Sequence, residues 1–253
     1  MTQGLDFSDR TVLITGAASG IGAACAEWLA RRGVSRVLLV DRNEAGLAAL
    51  KFPCEVVAFA GDVAEPALWE RIAAEAGPLD HAVINAGVAA GAPVAETSFD
   101  EWRRVLSANL DGAFLSLRAA LRLMKDGGSA VLSSSVAGLK AEPNTGAYAV
   151  SKAGVIQLAK VAAREAAARN IRINAIAPGA VDTPIWDGLA FFEDLVRQGG
   201  TRATALEAMA QMATPLRRYA SADEIAGQIG FLLSDMARNV TGTVLVSDGG
   251  FSL

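Results

Sequence analysis

Thr15-Gly16-Ala17-Ala18-Ser19-Gly20-Ile21-Gly22 is the stretch of sequence that decides the fold. It follows a short apolar run and leads directly into a helical pattern. Glycines between a strand and a helix let the backbone approach a pyrophosphate closely, and the helix N-terminus favours its negative charge. The GxxxGxG spacing is one residue longer than the common GxGxxG fingerprint. In this context the stretch predicts a dinucleotide-binding loop formed by Gly16, Ser19, Gly20, Ile21 and Gly22.

Around this loop, short strand patterns alternate with longer helical patterns. Seven runs rich in Val, Ile and Leu predict strands: Thr11–Thr15, Val37–Val40, Val56–Ala60, His81–Asn85, Ala130–Ser134, Ile171–Ala177 and Thr243–Val246. Their weak polar alternation is typical of parallel strands covered on both faces. Helices are predicted at Ile21–Arg32, Glu44–Leu50, Pro66–Ala76, Phe99–Lys125, Tyr148–Arg169 and Ala222–Ser234. This order predicts an α/β fold: one doubly wound Rossmann-type domain over residues 1–253, with a seven-stranded, mostly parallel sheet and helices on both faces.

Composition narrows the functional classes. The chain has 253 residues, 52% of them hydrophobic, a net charge of −4 and two cysteines. The net negative charge does not favour binding to nucleic acid or to anionic membranes. Cys25 and Cys54 suggest neither a disulfide framework nor a metal site. The start, Met1–Arg10, lacks the apolar region of a signal peptide, and no run of 18 apolar residues suggests a membrane span. We expect a cytoplasmic protein without a metal.

Asp41 closes the second predicted strand, nineteen residues after Gly22. An acid at this place accepts hydrogen bonds from a ribose 2′-OH and repels a 2′-phosphate. Arg42 is a complication, because an arginine beside the ribose could pair with that phosphate. Asp41 holds the favoured position, so the sequence predicts NAD over NADP, with both residues at the cofactor.

Tyr148 and Lys152 stand four residues apart, thirteen residues after Ser135. Residues i and i+4 share one face of a helix, so the phenol and the ammonium would point into one site. A phenol ionises near pH ~10, and lowering its pKa to about 7 takes roughly 4 kcal/mol. A neighbouring positive charge shifts the pKa in that direction. Alone, the pattern YxxxK does not distinguish such a pair from an amphipathic helix with a surface lysine.

Taken together, the motifs resemble those of a known family. They are TGAASGIG at 15–22, Asp62-Val63, Asn85-Ala86-Gly87, Asn109, Ser135, Tyr148-x3-Lys152 and Pro178-Gly179-x3-Thr183. In order and spacing they are similar to the short-chain dehydrogenase/reductases of about 250 residues, whose fold is one Rossmann-type domain. The resemblance runs from about Thr11 to Gly250.

The resemblance implies a catalytic group of Asn109, Ser135, Tyr148 and Lys152. Tyr148 is expected to exchange a proton with the substrate oxygen while hydride moves to or from the nicotinamide. Lys152 is expected to lower the pKa of Tyr148 and to bind the nicotinamide ribose. Ser135 is expected to orient the substrate oxygen and stabilise its charge. Asn109 is expected to disturb its helix and hold a water that relays protons to the lysine.

The same resemblance assigns further residues to the cofactor. Asp62 and Val63 match the family's adenine contacts, and Asn85-Ala86-Gly87 matches a turn beside the adenosine. The contacts implied on the nicotinamide side are Tyr148, Lys152, Pro178, Gly179, Val181 and Thr183. The family's usual double asparagine is Ile84-Asn85 here, which removes one polar side chain but keeps the turn.

Residues 183–219 give helical signals without a strand and align with the family's variable lid, which closes over the nicotinamide. Trp186 and Leu189 in this segment predict an apolar or aromatic pocket, although such side chains more commonly pack a lid onto its own domain. Glu142 and Asn144 lie between Ser135 and Tyr148. They either meet a polar group of the substrate or belong to a solvated turn. The predicted substrate site therefore consists of six residues: Ser135, Glu142, Asn144, Tyr148, Trp186 and Leu189.

Three functional hypotheses follow. The first is an oxidoreductase that moves hydride between NAD(H) and a secondary alcohol or ketone that is apolar, cyclic, aryl or steroid-like. The second is a 3-oxoacyl thioester reductase using NADPH, with Arg103, Arg104, Arg118 and Arg122 as a patch for an acidic carrier protein. The third is a catalytically silent dinucleotide-binding protein. Asp41 argues against the second, and the filled catalytic positions argue against the third.

The expected partners are a small-molecule substrate and further copies of the chain. Family members are commonly homotetramers joined through the helices that carry Asn109 and Tyr148 and through the C-terminal strand. The corresponding helical patterns here are rich in alanine and leucine, which suits close helix packing. We therefore expect a homotetramer, with a dimer as the alternative.

Overall fold

A seven-stranded sheet forms the centre of the computed structural model, which describes residues 5–187 and 189–253. Residues 1–4 and Gly188, which falls within the predicted lid, lie outside the described residues. The strands are β1 (Thr11–Thr15), β2 (Arg36–Asp41), β3 (Glu55–Ala60), β4 (Leu79–Ile84), β5 (Met124–Ser133), β6 (Arg172–Pro178), β7 (Val181–Asp182), β8 (Ala220–Ser221) and β9 (Val244–Ser247). All strands but β7 and β8 form the large sheet, and these two pair with each other.

The strand order of the large sheet is β3-β2-β1-β4-β5-β6-β9, and every pairing is parallel. The chain moves outward from β1 to β3 and then returns to place β4 on the other side of β1. This reversal creates a crevice at the carboxyl ends of β1 and β4, where open α/β sheets bind ligands. The predicted doubly wound α/β fold with seven strands is confirmed.

Helices cover both faces of the sheet. They are α1 (Gly20–Ala30), α2 (Glu44–Ala49), α3 (Pro66–Glu75), α4 (Phe99–Leu106), α5 (Gly112–Leu123), α6 (Gly146–Ala166), α7 (Ala190–Gly199), α8 (Arg202–Ala213) and α9 (Ala222–Leu233). Within the two described ranges, no helix has both the length and the apolar character needed to cross a membrane.

Successive strand residues alternate between two buried cores. In β1, Leu13 packs into the core covered by α3, α5 and α6, whereas Val12 and Ile14 pack into the core covered by α1, α2 and α9. All three are fully buried. Side chains of a strand alternate between the two faces of its sheet, so a strand covered on both sides is apolar throughout. This is why the sequence showed apolar runs instead of alternation.

The predicted helix Phe99–Lys125 is wrong in two details. A π-helical turn at Ser107–Asp111 separates α4 from α5, and the helix ends at Leu123 because Met124 already begins β5. The turn contains Asn109, whose short polar side chain bonds outside the helix and so competes with regular helical structure. Single π turns commonly occur at functional sites.

The phosphate-loop helix α1 is held from the outside by α9. Trp28 of α1 is 6% exposed and lies against the α9 backbone at Gly230, where an added Cβ would sit 2.3 Å from the indole ring. The Arg32 guanidinium lies 3.5 Å from the centroid of the same ring. The position of α1 therefore depends on a glycine in a neighbouring helix.

Gly230→Ala should lower the free energy of unfolding by about 1–3 kcal/mol, because a methyl group would overlap the Trp28 ring. Gly227→Ala, one turn earlier on α9, is the matched control. Its Cβ would sit 3.4 Å from the Trp28 ring nitrogen, an ordinary contact, and alanine is the better helix former by about 1 kcal/mol. Urea denaturation measures the free energy of unfolding of both variants and of the wild type. Equal effects of the two substitutions would contradict this packing.

Candidate active site

The glycine loop has the shape that a pyrophosphate requires. Gly16 has φ +66°, a left-handed conformation that other residues rarely adopt. A Cβ at Gly22 would lie 2.0 Å from the Gly16 carbonyl oxygen, so α1 begins in direct contact with the loop. Ser19 precedes the helix, and its exposed side chain makes no capping hydrogen bond. The backbone therefore forms a cradle that a side chain would fill, which fits a dinucleotide phosphate.

Thr15 joins the two strands at the crevice, a role that sequence reasoning missed. Its fully buried Oγ1 accepts hydrogen bonds from the backbone nitrogens of Asn85 (2.9 Å) and Ala86 (3.1 Å). The Asn85 side chain donates in return to the Thr15 carbonyl oxygen at 3.3 Å. The ends of β1 and β4 are thus fixed to each other. A threonine at the end of the first strand was the available signal.

The carboxylate of Asp41 is oriented by the backbone. One oxygen accepts from the Ala18 nitrogen at 3.0 Å, within the glycine loop, and the other accepts from the Asn43 nitrogen at 2.9 Å. The Arg42 guanidinium lies 3.8 Å from a carboxylate oxygen of Asp62. Asp41 is therefore held beside the loop, while Arg42 is directed towards another acid.

A cavity of about 680 Å³ runs along these groups. Of the predicted cofactor residues, Gly16, Ser19, Gly20, Ile21, Asp41, Arg42, Asp62, Val63, Asn85, Ala86, Gly87 and Thr183 line it. Gly22, Tyr148, Lys152, Pro178, Gly179 and Val181 are not among its lining residues in the part of the chain that the structure describes. Its volume lies within the usual range for ligand and cofactor pockets.

The far end of the cavity is bounded by the segment after β6. Thr183 is 7% exposed, and a Cβ at Gly20 would lie 3.3 Å from its side chain. Gly179 donates its backbone N–H to the Ser247 carbonyl at 3.0 Å. The Trp186 indole nitrogen donates to the Val181 carbonyl at 2.8 Å. A backbone hydrogen bond to β9 and the Thr183 side chain beside the phosphate loop thus fix this segment.

Helix α6 brings the predicted catalytic side chains to the carboxyl end of β5. The Lys152 ammonium is buried and donates to the Ser133 carbonyl oxygen at 2.9 Å. It lies 5.8 Å from the centroid of the Tyr148 ring. The Ser135 side chain interacts with the Tyr148 hydroxyl, and its own Oγ accepts from the Ala137 nitrogen at 3.2 Å. Ser135, Tyr148 and Lys152 therefore form one cluster.

Asn109 lies between this cluster and the cavity. It is fully buried, and its Oδ1 accepts from the Val88 nitrogen at 2.7 Å. Its Nδ2 donates to the Val88 carbonyl and to Ser151 Oγ, each at 3.0 Å. A Cβ at Gly87 would lie 3.1 Å from Asn109 Oδ1 and 3.3 Å from Lys152 Nζ. The glycine therefore allows the cavity wall to approach the Lys152 ammonium.

Two serines that sequence reasoning missed hold α6 in place. Ser151 Oγ donates to the Tyr148 carbonyl at 2.7 Å and accepts from Asn109, which links the π turn to the catalytic helix. Ser134 Oγ donates to the Lys152 carbonyl at 2.8 Å. Ser134 stands in the run Ser133-Ser134-Ser135, where the spacing to Tyr148 singled out only the last serine.

Burial dominates the ionisation of the pair on α6. It raises the pKa of Tyr148, although the interaction with Ser135 acts in the opposite direction. Burial also lowers the pKa of Lys152 to about 8. We expected Lys152 to lower the pKa of Tyr148, whereas the net shift of that pKa is upward. The reason is that desolvation penalises the phenolate, and the ammonium bonds to a carbonyl oxygen rather than to the phenol.

The predicted substrate residues divide into two groups. Trp186 stacks on Tyr219 with ring centroids 6.1 Å apart and packs against Phe192, so it belongs to a small core within residues 183–219. Leu189 touches the same core but also lines the cavity. Packing onto its own segment is therefore the better description of Trp186.

Glu142 and Asn144 lie in the turn before α6. The Glu142 carboxylate pairs with Lys140 at 3.3 Å, and the Asn144 carbonyl accepts from the Ala92 nitrogen at 2.9 Å. Asn144 adopts φ +68°, which asparagine tolerates better than most residues. Both residues have defined structural contacts beside the catalytic helix.

Comparisons with known proteins agree with this geometry. The family model described as Enoyl-(Acyl carrier protein) reductase matches residues 16–252. A cis-4-hydroxycyclohexanecarboxylate dehydrogenase of Sinomonas cyclohexanicum is 39% identical over 99% of both chains. A 3beta-hydroxysteroid dehydrogenase of Mediterraneibacter gnavus is 35% identical over 97% of this chain and 96% of the relative. The crystal structure of levodione reductase has a TM-score of 0.87 and 37% identity, covering 97% of this chain and 98% of that one.

The fold, the cavity and these relatives define an oxidoreductase that acts on CH–OH groups. The chain belongs to the short-chain dehydrogenase/reductase family, whose members bind a nicotinamide dinucleotide. The resemblance stated from the sequence motifs is therefore confirmed.

Lys152→Met should change how stability depends on pH. Below about pH 8 both the folded and the unfolded chain hold the Lys152 proton, and the folded state bears the cost of a buried ammonium. Between about pH 8 and ~10.4 the folded state releases the proton first, so the unfolding free energy of the wild type rises with pH. Relative to Lys152→Met, the wild type should gain about 2–3 kcal/mol across this range.

Urea denaturation at several pH values measures this difference, in which other titrating groups cancel. Lys160→Met, at an exposed position two turns further along α6, is the matched control and should show no such trend. A constant difference between the wild type and Lys152→Met from pH 7.5 to 10 would show that the buried ammonium is not destabilised.

Proposed function

We propose that this protein interconverts a ring-borne secondary alcohol and its ketone with NAD(H), using Asn109, Ser135, Tyr148 and Lys152 as the catalytic group. The observation that carries the proposal is the approach of Lys152 Nζ and Asn109 Oδ1 to Gly87 in the cavity wall. This approach supports a role for these side chains in proton transfer beside a cavity whose volume suits a dinucleotide. Residues 1–253 act as one domain, with residues 183–219 as its lid.

The side chains handle the proton of the reaction. A bound nicotinamide dinucleotide supplies the hydride chemistry. The raised pKa of Tyr148 keeps its phenol protonated at neutral pH, so it can donate a proton to a ketone oxygen and take it back during oxidation. The charge of Lys152 stabilises the phenolate formed in reduction. Ser135 Oγ is held by the Ala137 backbone N–H, and its hydroxyl, which contacts Tyr148, is proposed to donate to the substrate oxygen when the substrate binds.

Preference for NAD over NADP rests on Asp41 and Arg42. The Asp41 carboxylate is fixed beside the glycine loop by two backbone N–H groups, where it accepts hydroxyl donors and repels a phosphate. The Arg42 guanidinium faces Asp62, so part of its charge is already balanced. The remaining predicted cofactor residues keep their proposed contacts, with Pro178, Gly179 and Val181 acting through the backbone that holds Thr183.

The substrate class is supported by the relatives and by the cavity. The names of two relatives specify a hydroxyl group on a cyclohexane ring and on a steroid ring. Leu189 and Ile185 give the lid end of the cavity an apolar lining. A saturated ring would bury its carbon surface there while its oxygen meets Ser135 and Tyr148.

Contacts within the chain weaken the docking patch proposed for the carrier-protein alternative. Arg104 pairs with the Glu101 carboxylate at 2.7 Å and donates to the Ala89 carbonyl at 3.2 Å. The Arg118 guanidinium lies 5.4 Å from the Phe114 ring centroid. Two of the four arginines are therefore engaged by the chain itself, and Asp41 opposes NADPH.

We also propose a homotetramer. Phe99, Phe114, Val150 and Val161 are exposed on α4, α5 and α6, and β9 is an edge strand of the large sheet. Exposed apolar side chains and an open strand edge are typical of surfaces that bind another chain. Light scattering should give about four times the chain mass of 26.1 kDa. A mass of one chain would contradict the proposal.

The function is tested by initial rates on a panel of alcohols with NAD and with NADP. We expect oxidation of 4-hydroxycyclohexanecarboxylate or a 3-hydroxysteroid with NAD to exceed that of an open-chain secondary alcohol by ~10-fold or more in kcat/KM. NAD should be preferred over NADP. Faster NADPH-linked reduction of a 3-oxoacyl thioester would instead establish the alternative reductase.

Tyr148→Phe should lower kcat by about 10²–10⁴-fold, because it removes the proton donor and acceptor but keeps the ring. Affinity for NADH, measured by fluorescence titration, should stay close to that of the wild type. Tyr219→Phe alters the chain's other tyrosine, which stacks on Trp186 in the lid, and should leave kcat nearly unchanged. Near-normal turnover by Tyr148→Phe would reject the catalytic assignment.

A further inference from the structure

Arg202 connects the lid helices to the segment that closes the cofactor cavity. It is the first residue of α8, and its guanidinium donates hydrogen bonds to three residues of the segment 182–187. One nitrogen pairs with the Asp182 carboxylate, another donates to the Thr183 carbonyl oxygen at 2.8 Å, and Nε donates to the Asp187 carboxylate at 3.2 Å. A planar guanidinium can bind several acceptors at once, which a lysine ammonium does less well.

The same guanidinium also meets the lid's own core. Its central carbon lies 6.0 Å from the ring centroid of Phe192, which is 2% exposed. Phe192 packs with Ala205 and Leu206 of α8 in the small core of the lid. Arg202 is therefore bonded on one side to the cavity segment and packed on the other side against the lid.

The segment that Arg202 holds is part of the cavity. Thr183, Pro184, Ile185 and Asp187 line it, and the Thr183 side chain lies against the phosphate loop at Gly20. Displacement of this segment would open the cavity beside the predicted pyrophosphate site. The backbone of residues 182–187 makes few sheet contacts, since β7 contributes two residues to a two-stranded ladder.

We propose that Arg202 is a positioning residue that couples the lid to the cofactor site by holding residues 182–187 against the phosphate loop. It sets how tightly the dinucleotide is retained and takes no part in proton transfer. The inference rests on the location of the dinucleotide in the cavity, and it adds a residue outside that cavity as a determinant of affinity.

A second ion pair in the lid shows why the position of Arg202 matters more than its charge. Arg197 of α7 pairs with Asp194, three residues earlier on the same helix. Such an exposed pair within one helix contributes about 0.3–0.5 kcal/mol. Among the described residues, this pair links no element to the cavity. Arg202 makes its bonds across fifteen to twenty residues, between α8 and the cavity segment.

The test is NADH binding by fluorescence titration of the full chain. Arg202→Met should weaken NADH affinity about tenfold, and KM for NAD should rise in parallel while kcat changes less than about twofold. Arg202→Lys should recover part of the affinity because the charge is kept. Hydrogen exchange of residues 182–187 without ligand should become faster in Arg202→Met. The melting temperature should remain close to that of the wild type.

Arg197→Met is the matched control, and it should bind NADH as the wild type does. Asp187→Asn should weaken binding about two- to threefold, with little further effect when Arg202 is already methionine. NADH affinity of Arg202→Met within twofold of the wild type would overturn the proposal, as would an equal loss in Arg197→Met. Failure of the wild type to bind either NADH or NADPH would count against the proposed function instead.

Discussion

A buried ammonium is the constraint on which the site depends. Lys152 is 5% exposed, and taking its charge out of water costs free energy that the surrounding structure must offset. The Ser133 carbonyl accepts its hydrogen bond at the carboxyl end of β5. That carbonyl is available because the strand ends there and the chain turns away. The end of β5, before the chain crosses to α6, therefore supplies the acceptor for the Lys152 charge.

The cost of burying this ammonium also explains why neighbouring side chains make hydrogen bonds to the backbone of α6. Ser134 bonds the Lys152 carbonyl, and Ser151 bonds the Tyr148 carbonyl and Asn109. A helix that carries a destabilised charge must be held firmly, since local relaxation would let the ammonium move to solvent. Stability is reduced at Lys152 in exchange for a lysine whose pKa of about 8 lies closer to neutral pH than usual.

Sequence patterns predicted the strands, the sheet and the phosphate loop because their causes are local or periodic. The position of Asp41 at a strand end and the four-residue spacing of Tyr148 and Lys152 are local patterns of this type. We expected Asn109 to disturb its helix, but the sequence did not predict the length of the π turn. That length depends on hydrogen bonds from Asn109 to Val88 and Ser151 across the fold. The direction of the Tyr148 pKa was also missed. The direction of this pKa shift depends on how deeply Tyr148 is buried, and the spacing between Tyr148 and Lys152 does not reveal burial.

The lid illustrates a second limit on sequence reasoning and a feature of its mechanics. Trp186 and Leu189 have similar apolar character, yet Trp186 packs inside the lid's own core while Leu189 also faces the cavity. A lid with its own core keeps its internal packing when it shifts, so its motion is governed by the bonds at its edges. These are the short β7–β8 ladder and the guanidinium of Arg202. Polar bonds at an exposed edge break at lower cost than apolar packing, which would suit the proposed opening of this segment for a dinucleotide.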